Sequence, residues 1–452
     1  MADLVNILAV DDGVSLMQRL LFGGTPGLWL GLAWDIVLIF CVFVPLISLF
    51  AMIAIWGERR VAGRMQCRPG PNRVGPFGLL QSLADGMKLV MKEDLCPASA
   101  DALLFRLAPY LSFVPVFAAF LALPFGPDWT FEPHLSSGLF WLLAILSLEV
   151  MGVILAGWAS NNKWAIYGAM REACQMVSYE IPLGIAIIIA VMAAGTLNLV
   201  ELGYMQSGGI HTWLVFRNPF IFLAFFLYFV ASLASNKRAP FDLPESESEL
   251  VAGFHTEYSG MRFAIFFFAE YAGMLVVGAI QAALFLGGWN DPFGLIGYFH
   301  HKFSMDGNQI GLVAVNAAAS AIFLLKASSI VLVQMWLRWT LPRPRIDQVL
   351  YVCVKVLMPL ACATLLGGAI WPLIVPEYRG RPWVDFNPWS FAQWQAGHAV
   401  GALATQCVLA LIGVAMVGSL AAWIVYSWLN RNTVVARLSE AEPIGQEAAN
   451  KP

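Results

Sequence analysis

Carboxylates are concentrated in one polar stretch of an otherwise apolar sequence. Residues 236–258 contain Glu245, Glu247, Glu249 and Glu257, whereas only 12% of the whole chain is charged. Neighbouring carboxylates repel one another, so part of such a cluster holds protons to a higher pH and can exchange them near neutrality. The cluster therefore suits proton transfer, although a solvated acidic loop would have the same composition.

More ionisable residues occur within long apolar runs. Glu149 and Glu270 lie inside such runs, Tyr271 follows Glu270, and Glu180 borders another run. A charge in the middle of a bilayer costs at least about 2.5–3.5 kcal/mol, so a chain that keeps several must pair or hydrate them. We interpret these residues together as a candidate proton path, while any one of them alone is also typical of a structural polar pair.

The segment Glu58–Gly78 is rich in arginine, glycine and proline. Fixed guanidinium groups and backbone N–H groups in such a segment can bind an anion, a polar head group or a partner protein. It lacks the residue order of a phosphate-binding P-loop. We predict a docking role for Arg64, Arg68 and Arg73, and simple anchoring by positive charge is the alternative.

The next segment, residues 79–92, predicts an amphipathic helix at the membrane surface. Its apolar face consists of Leu79, Leu80, Leu83, Met87, Val90 and Met91, and its polar face of Gln81, Asp85, Lys88 and Lys92. Asp85 and Lys88 are three residues apart and can meet on the polar face. From periodicity alone, an incidental surface ion pair worth less than about 1 kcal/mol is the favoured interpretation.

These residues have to be positioned by membrane-spanning helices, because 59% of the 452 residues are apolar. A spanning helix needs about 20 apolar residues. The sequence predicts an all-α polytopic membrane protein with about nine spans. They cover residues 33–56, 107–126, 138–159, 181–200, 217–234, 263–288, 310–333, 349–375 and 398–429.

The predicted spans divide the chain into four parts and orient it. These are an N-terminal periplasmic-side segment (1–32), an eight-helix core (33–375), an outer loop with the ninth span (376–429) and a polar tail (430–452). Of the 26 Lys and Arg residues, 19 fall in one alternate set of loops and 5 in the other. Since basic loops stay in the cytoplasm, we expect a periplasmic N-terminus and a cytoplasmic C-terminus.

Two classes of ligand are not expected. The seven cysteines include no CxxC pair, so the sequence predicts no metal or iron–sulfur cluster held by this chain. The formal net charge of −3 gives no indication of a nucleic-acid partner.

Four stretches in this order, Glu58–Gly78, Gly157–Asn161, Gln175–Glu180 and Ala239–Tyr258, resemble one known family. It is the H-subunit family of proton-pumping NADH-quinone oxidoreductase, or respiratory complex I, whose mitochondrial counterpart is NADH dehydrogenase subunit 1. The likeness covers residues from about 33 to about 375.

The resemblance implies a site and a set of partners. It implies that a quinone chamber is lined by Glu58, Arg59, Asp85 and Lys88. For Asp85 and Lys88, this role takes the place of the incidental surface ion pair favoured from periodicity alone. It implies an acidic connection towards the other membrane subunits through Glu180, Glu245, Glu247, Glu249, Glu257 and Glu270, continued by Tyr271. The partners are then the membrane-arm and peripheral-arm subunits in the cell inner membrane, and the peripheral ones hold the NADH, flavin and iron–sulfur sites.

One departure from the family pattern bears on the acidic connection. Family members commonly carry a glutamate at the position of Ser235, and we interpret Glu149 or Glu172 as its possible replacement. Two other functions remain open from the sequence, the membrane anchor of an energy-converting hydrogenase and a stand-alone ion transporter. The residues do not distinguish ubiquinone from menaquinone.

Overall fold

The apolar runs fold as helices, because a backbone amide in hydrocarbon finds its hydrogen-bond partner only within its own segment. The computed structural model describes residues 44–130 and 136–374, with isolated positions at 37, 40, 41, 408, 409, 411 and 415, and this part contains no strand. The first seven helices are α1 (Val44–Met65), α2 (Gln81–Met91), α3 (Ala102–Ala119), α4 (Gly138–Ala159), α5 (Lys163–Ala194), α6 (Leu199–Met205) and α7 (Leu214–Arg217). The next seven are α8 (Pro219–Ser235), α9 (Glu247–Leu250), α10 (Gly260–Phe285), α11 (Leu295–Met305), α12 (Gln309–Thr340), α13 (Ile346–Tyr351) and α14 (Met358–Ile374).

Six helical segments of the described chain are long and apolar enough to cross a bilayer. They are α3 with the turn that follows it, α4, α5, α10, α12, and α13 continued into α14. Helix α8 is apolar but has 17 residues, and α1 has 22 residues and a charged C-terminal end. Each of the eight spans predicted before residue 375 thus overlaps a helix. The predicted ninth span, the N-terminal segment 1–32 and the tail 430–452 lie outside the described residues, apart from the isolated positions.

Two predicted boundaries are wrong. The fourth span begins at Lys163 and not at residue 181, so residues 163–180 are helical. Asn162 starts this helix by accepting a hydrogen bond from the Trp164 amide at 3.0 Å, and polar side chains of its first half have partners inside the protein. The first helix continues to Met65, so Glu58, Arg59 and Arg64 lie on a helix rather than in a loop.

The predicted amphipathic helix is confirmed as α2. Ser82 fixes it to α1 by donating a hydrogen bond to the Met52 carbonyl at 3.0 Å. The apolar side chains of Leu83, Met87 and Val90 are 48%, 60% and 65% exposed. An exposed apolar face of this kind suits a helix that lies along hydrocarbon or under a partner.

Helix α10 forms the centre of the bundle, with 67% of its most apolar 18-residue window buried. It packs against α1, α3, α8 and α12. Small residues allow the close helix packing that is common in membranes. At Gly152 of α4, for example, an added Cβ would lie 2.5 Å from the Ser112 amide nitrogen of α3.

The stretch between α8 and α10, which we call the acidic loop (residues 236–259), folds back onto the bundle. Glycines make this possible, since an added Cβ at Gly168 of α5 would lie 2.9 Å from both the Pro244 carbonyl oxygen and the Phe254 amide nitrogen. At the end of the loop the Tyr258 ring stacks on Phe105 of α3, with 4.1 Å between ring centroids. The loop is therefore part of the packed interior and not a solvated connection.

The substitution Gly168→Ala should destabilise the protein by about 1–3 kcal/mol, because the new methyl group meets backbone atoms that cannot rotate away. The matched control is Gly184→Ala on the same helix, where nothing lies within 4 Å of the added Cβ. That change should be neutral or stabilising by up to about 1 kcal/mol. Thermal unfolding of the purified protein in detergent measures both, and equal midpoints for the two variants would contradict the predicted contact.

Candidate functional site

Glu58, near the end of α1, is a buried carboxylate that receives hydrogen bonds from three other elements. Its side chain is 6% exposed. The Tyr271 hydroxyl of α10 donates to Oε2 at 2.6 Å, and Arg238 Nη1 of the acidic loop lies 3.2 Å from the same oxygen. Arg338 Nη1 of α12 donates to Oε1. Charge-assisted hydrogen bonds of this kind compensate for the loss of water around the carboxylate.

Arg238 joins Glu58 to a second buried carboxylate. Its Nε lies 2.5 Å from Glu270 Oε1 of α10, an ion pair in which the N–H does not point along the contact. Its guanidinium stacks over the Tyr271 ring, 4.3 Å from the centroid. Burial lowers the pKa of Arg238, but the Glu270 and Glu58 carboxylates raise it more, and the net shift is upward.

Lys237, the preceding residue, contacts two further carboxylates. Its Nζ lies 3.0 Å from Glu149 Oε1 of α4 and 3.8 Å from Glu172 Oε1 of α5. The Lys237 side chain is 5% exposed and that of Glu172 is 0% exposed. Burial lowers the pKa of Lys237, but Glu149 and Glu172 raise it more, so the amine stays protonated.

The acidic loop adds a third group of charges. His255 Nε2 lies 2.8 Å from Glu245 Oε1, and Arg343 Nη2 lies 2.9 Å from Asp242 Oδ2. Burial and the nearby Glu245 raise the pKa of Asp242 to about 7, against the effect of Arg343. Burial also favours a higher pKa for Glu245, but the charge and hydrogen bond of His255 lower it below its ordinary value. Of these two carboxyl groups, Asp242 therefore has the higher pKa and is protonated more readily.

Amide side chains hold the start of this loop in place. Gln175 Nε2 of α5 donates to the Ala234 and Phe241 carbonyls, at 2.8 and 2.9 Å. Asn236 Nδ2 donates to Gln334 Oε1 of α12 at 3.0 Å. These bonds fix Lys237 and Arg238 between α5 and α12, so that two adjacent cations reach two different pairs of carboxylates.

A more exposed ion pair lies beside Glu58. Arg59 Nη1 of α1 contacts Asp85 Oδ2 of α2. Gln81 Nε2 donates to Asp85 Oδ1 at 3.2 Å, and Lys88 Nζ lies 4.0 Å from that oxygen. The side chains of Arg59 and Asp85 are 48% and 25% exposed, and that of Lys88 is 70% exposed. The accessible pair and the buried network thus meet at two consecutive residues of one helix.

A cavity of about 460 Å³ lies between α2 and the start of α10. Lys88, Tyr258 and Phe263 are among its lining residues. Apolar and aromatic walls with a few polar groups are typical of small-molecule sites of this size.

The arginine-rich segment is held by Arg60, which the sequence did not single out. Its Nη2 donates to Asn72 Oδ1 at 3.0 Å and to the Phe77 carbonyl at 2.8 Å, and it stacks over the Trp56 ring at 5.1 Å. The arginines predicted to dock a partner, Arg64, Arg68 and Arg73, are exposed.

The structure brings many of the predicted site residues together and leaves others apart. The buried network includes Glu58, Glu149, Glu245, Glu270 and Tyr271, with Arg59, Asp85 and Lys88 beside it. Three further residues lie at the edge or outside it. Glu249 contacts Arg171 at 2.6 Å, Glu257 accepts from Asn162 at 2.5 Å, and Glu180 lies on the exposed face of α5. The side chain of Glu247 lies outside the described residues.

Sequence reasoning missed the cations that hold this network. These are Lys237, Arg238, Arg338 and Arg343. A signal existed for the first two, because adjacent basic residues in an acidic stretch between two spans need carboxylate partners. Arg338 has no comparable signal, since its partner Glu58 is 280 positions away in the sequence.

A chain with at least six bilayer-length helices and ion pairs buried among them is a polytopic membrane protein that keeps charge inside the bundle. Residues 36–369 match the model of the NADH dehydrogenase family. The chain is 46% identical over 372 residues to the NADH-quinone oxidoreductase H-subunit of Chlorobium luteolum, an alignment that covers 82% of this chain and 97% of that protein. It is 47% identical over 340 residues to the corresponding H-subunit of Chlorobaculum tepidum, covering 74% and 92%. The chain therefore belongs to the NADH dehydrogenase family, among its H-subunit members.

The substitution Arg238→Met should destabilise the protein by about 3–5 kcal/mol, because it leaves Glu270 without its ion-pair partner and Glu58 with fewer donors. Arg171→Met is the matched control, since the Arg171–Glu249 pair is accessible and such pairs contribute about 0–1 kcal/mol. Adding Glu270→Gln to Arg238→Met should recover part of the loss. Unfolding of the three variants in detergent measures these differences, and a small effect of Arg238→Met would contradict the assigned ion pair.

The substitution Asp242→Asn should change how stability depends on pH. With its pKa raised from 3.8 to about 7, folded Asp242 holds a proton that the unfolded chain releases between these values. The free energy of unfolding of the wild type therefore falls as pH rises through this window, by at most about 1.4 kcal/mol per pH unit.

Asparagine does not titrate, so the variant should gain stability relative to the wild type as pH rises from 3.8 to about 7 and no further above it. Asp94→Asn, at an exposed carboxylate paired with Arg262, is the control. Parallel stability curves of Asp242→Asn and wild type across this window would argue against a buried, protonated Asp242.

Proposed function

We propose that this chain forms part of the quinone-binding chamber of an NADH-quinone oxidoreductase and couples quinone reduction to proton translocation. The observation that carries the proposal is the junction at Glu58 and Arg59. Arg59 forms an accessible pair with Asp85, and Glu58, the adjacent residue, enters the buried Arg238–Glu270 network. A reaction near Asp85 is therefore connected to the interior through two consecutive residues of α1.

As a member of the H-subunit family, the chain is a membrane component of a multi-subunit complex of the complex I type. We assign NADH oxidation, and the flavin and iron–sulfur clusters it uses, to peripheral-arm subunits. The outward arginines 64, 68 and 73 are suited to dock such a partner, because guanidinium groups bind carboxylates in a fixed geometry.

In the reaction we propose, a quinone head group takes up two electrons from the peripheral arm and two protons, and becomes a quinol. We assign the approach of the quinone to the region of Asp85, Arg59 and Lys88 beside the cavity between α2 and α10. The exposed apolar face of α2 is suited to a substrate that arrives from lipid. Transient negative charge on the reduced quinone would be stabilised by the Arg59 guanidinium.

The coupling we propose is electrostatic. Two unit charges about 5 Å apart interact by about 3 kcal/mol at an effective dielectric constant of about 20. Moving one charge against 100 mV costs about 2.3 kcal/mol, so a change of one charge near Glu58 is of the right size to move a proton onward. Glu58 and Glu270 contact Arg238, and Glu149 contacts the adjacent Lys237. These carboxylates would carry the change, and Glu245, which is paired with His255, would receive it through the charges of Arg238 and Lys237.

The remaining predicted carboxylates have proposed roles at the ends of this path. Glu249 and Glu257 pair with Arg171 and Asn162 at the edge of the acidic loop, where protons from water have access, and we propose the same role for Glu247. Glu180 is exposed on α5, which suits a contact with a neighbouring membrane subunit.

We propose that the chain lies in the cell inner membrane with its N-terminus in the periplasm and its C-terminus in the cytoplasm. The support is the distribution of 19 against 5 basic residues and the positive-inside rule. The relatives named above are quinone-oxidoreductase subunits, which favours this function over a hydrogenase anchor or a stand-alone transporter.

The substitution Asp85→Asn should lower NADH-driven quinone reduction at least about tenfold, since it removes a charged group placed at the quinone. Oxidation of NADH by a water-soluble artificial acceptor should not change, because it bypasses this chain. Asp94→Asn is the control, since Asp94 forms a comparable exposed pair with Arg262. A native gel of the membranes should show both variants in one large assembled complex. Normal quinone reduction by assembled Asp85→Asn complex would exclude the proposed site.

A further inference from the structure

Lys237 is shared by two carboxylates, although one would balance its charge. Glu149 Oε1 lies 3.0 Å from Nζ and forms a hydrogen bond with it. Glu172 Oε1 lies 3.8 Å from Nζ. Both carboxylates belong to membrane-spanning helices, Glu149 to α4 and Glu172 to α5. A structural ion pair needs only the first of them.

Glu172 has no hydrogen-bond partner for either carboxylate oxygen among the described residues, and its side chain is 0% exposed. An ionised carboxylate without hydrogen bonds in such a place is strongly unfavourable, and the group takes up a proton instead. The geometry thus separates the two roles. Glu149 is the ionised partner of Lys237, and Glu172 is the carboxyl that holds a proton.

The surroundings connect this pair to the rest of the network. The charges of Glu245 and Lys237 act on Glu172, and Tyr179 lies on the same helix near both. On the other side, Gly273 of α10 faces Glu149, because an added Cβ would lie in van der Waals contact with Oε2, at 3.6 Å. The acidic loop therefore borders Glu172, and α10 borders Glu149.

Another buried lysine is held by backbone carbonyl groups instead of carboxylates. Lys326 Nζ donates to the carbonyls of Leu286, Gly288 and Asn290, at 2.6, 3.0 and 2.5 Å. These three bonds use all three donors of an ammonium group, and none of the acceptors can be protonated. Lys237 differs, because both of its carboxylate partners can be protonated.

We propose that Glu149, Lys237 and Glu172 form a proton-holding triad, in which the two carboxylates share one exchangeable proton around a permanent ammonium group. Ser235, two residues before Lys237, cannot hold a proton for transfer, and the triad supplies that capacity here. The proton of Glu172 first passes to Glu149 and leaves from there, and a proton that arrives from the side of Glu245 then binds the vacated Glu172 carboxylate. The net charge of the triad then alternates between −1 and 0, with Lys237 unchanged.

The inference rests on the proposed function, and the test separates the two. Infrared spectroscopy of the purified complex, in H₂O and D₂O, detects the carbonyl band of a buried protonated carboxyl group and its isotope shift without any turnover. The wild-type minus Glu172→Gln difference spectrum should contain this band, because the carboxyl group of Asp242 contributes equally to both proteins and cancels. Proton pumping by membrane vesicles with NADH as donor should fall at least about tenfold in Glu172→Gln, because a missing transfer group typically slows its step by about 100-fold or more.

Three further variants separate proton transfer from structure. Glu149→Gln leaves Lys237 to pair with Glu172, so the complex should assemble but lose both the band and most of the pumping. Glu172→Asp keeps a titratable group and should retain pumping within a few-fold of the wild type. Ser235→Glu in the Glu172→Gln background should restore part of the pumping. A native gel confirms assembly in each case.

The triad is overturned if the wild-type minus Glu172→Gln difference spectrum contains no carboxyl band, or if the assembled variant pumps as the wild type does, because Lys237 is then only a structural cation. If Glu172→Gln does not assemble, the triad is tested instead by the pumping of the other two variants. Wild-type pumping by Glu149→Gln, or loss of pumping in assembled Glu172→Asp, would then overturn it. Wild-type complex that shows the band but no NADH-driven pumping would instead overturn the proposed function and leave the triad as a buried proton site.

Discussion

Charge inside a bilayer must be balanced nearby, and the described interior of this protein has more carboxylates than permanent cations. In the network around Lys237 and Arg238, the carboxylates, whose side chains are at most 15% exposed, are Asp242, Glu58, Glu149, Glu172, Glu245 and Glu270. The cations that face them are Lys237, Arg238, Arg338 and Arg343. Neutrality then needs two protons, or one proton and a charged His255. Because separated ions are so unfavourable in a low-dielectric medium, the network holds protons as part of its structure.

The same requirement explains the local fold. The acidic loop folds inward because its two cations and its carboxylates have partners on α1, α4, α5 and α10. Gly168 lets the loop lie directly on α5, and Gln175 satisfies two of the carbonyls near its start. Helix α5 begins at Lys163 because its polar first half faces this loop. The buried side chains of Leu243, Phe254 and Tyr258 add apolar packing to these polar contacts.

Much of this could be predicted from the sequence, and the limits have a physical cause. Hydropathy predicted eight spans that each overlap a described helix, and for α4 the predicted bounds 138–159 equal the observed ones, because lipid imposes a local requirement. The 3.6-residue period located α2. The start of α5 was missed, since polar residues such as Glu172 and Gln175 resemble a loop until their partners are known. The contacts of Glu58 with Arg238 and Arg338 span 180 and 280 positions, and no local pattern encodes them.

The charged groups near the two ends of α10 differ in how completely they are hydrogen-bonded. Beyond its C-terminal end, Lys326 of α12 uses its three donors on fixed carbonyls, and Asp128 accepts from Asn316 and contacts His300, both at 2.9 Å. These groups have the partners they need. Around the first half of α10, by contrast, Glu172 has no hydrogen bond and one oxygen each of Glu270 and Asp242 has none. Carboxylates outnumber permanent cations in this network, so a proton taken up there should stabilise it, whereas Lys326 and Asp128 at the opposite end already have partners.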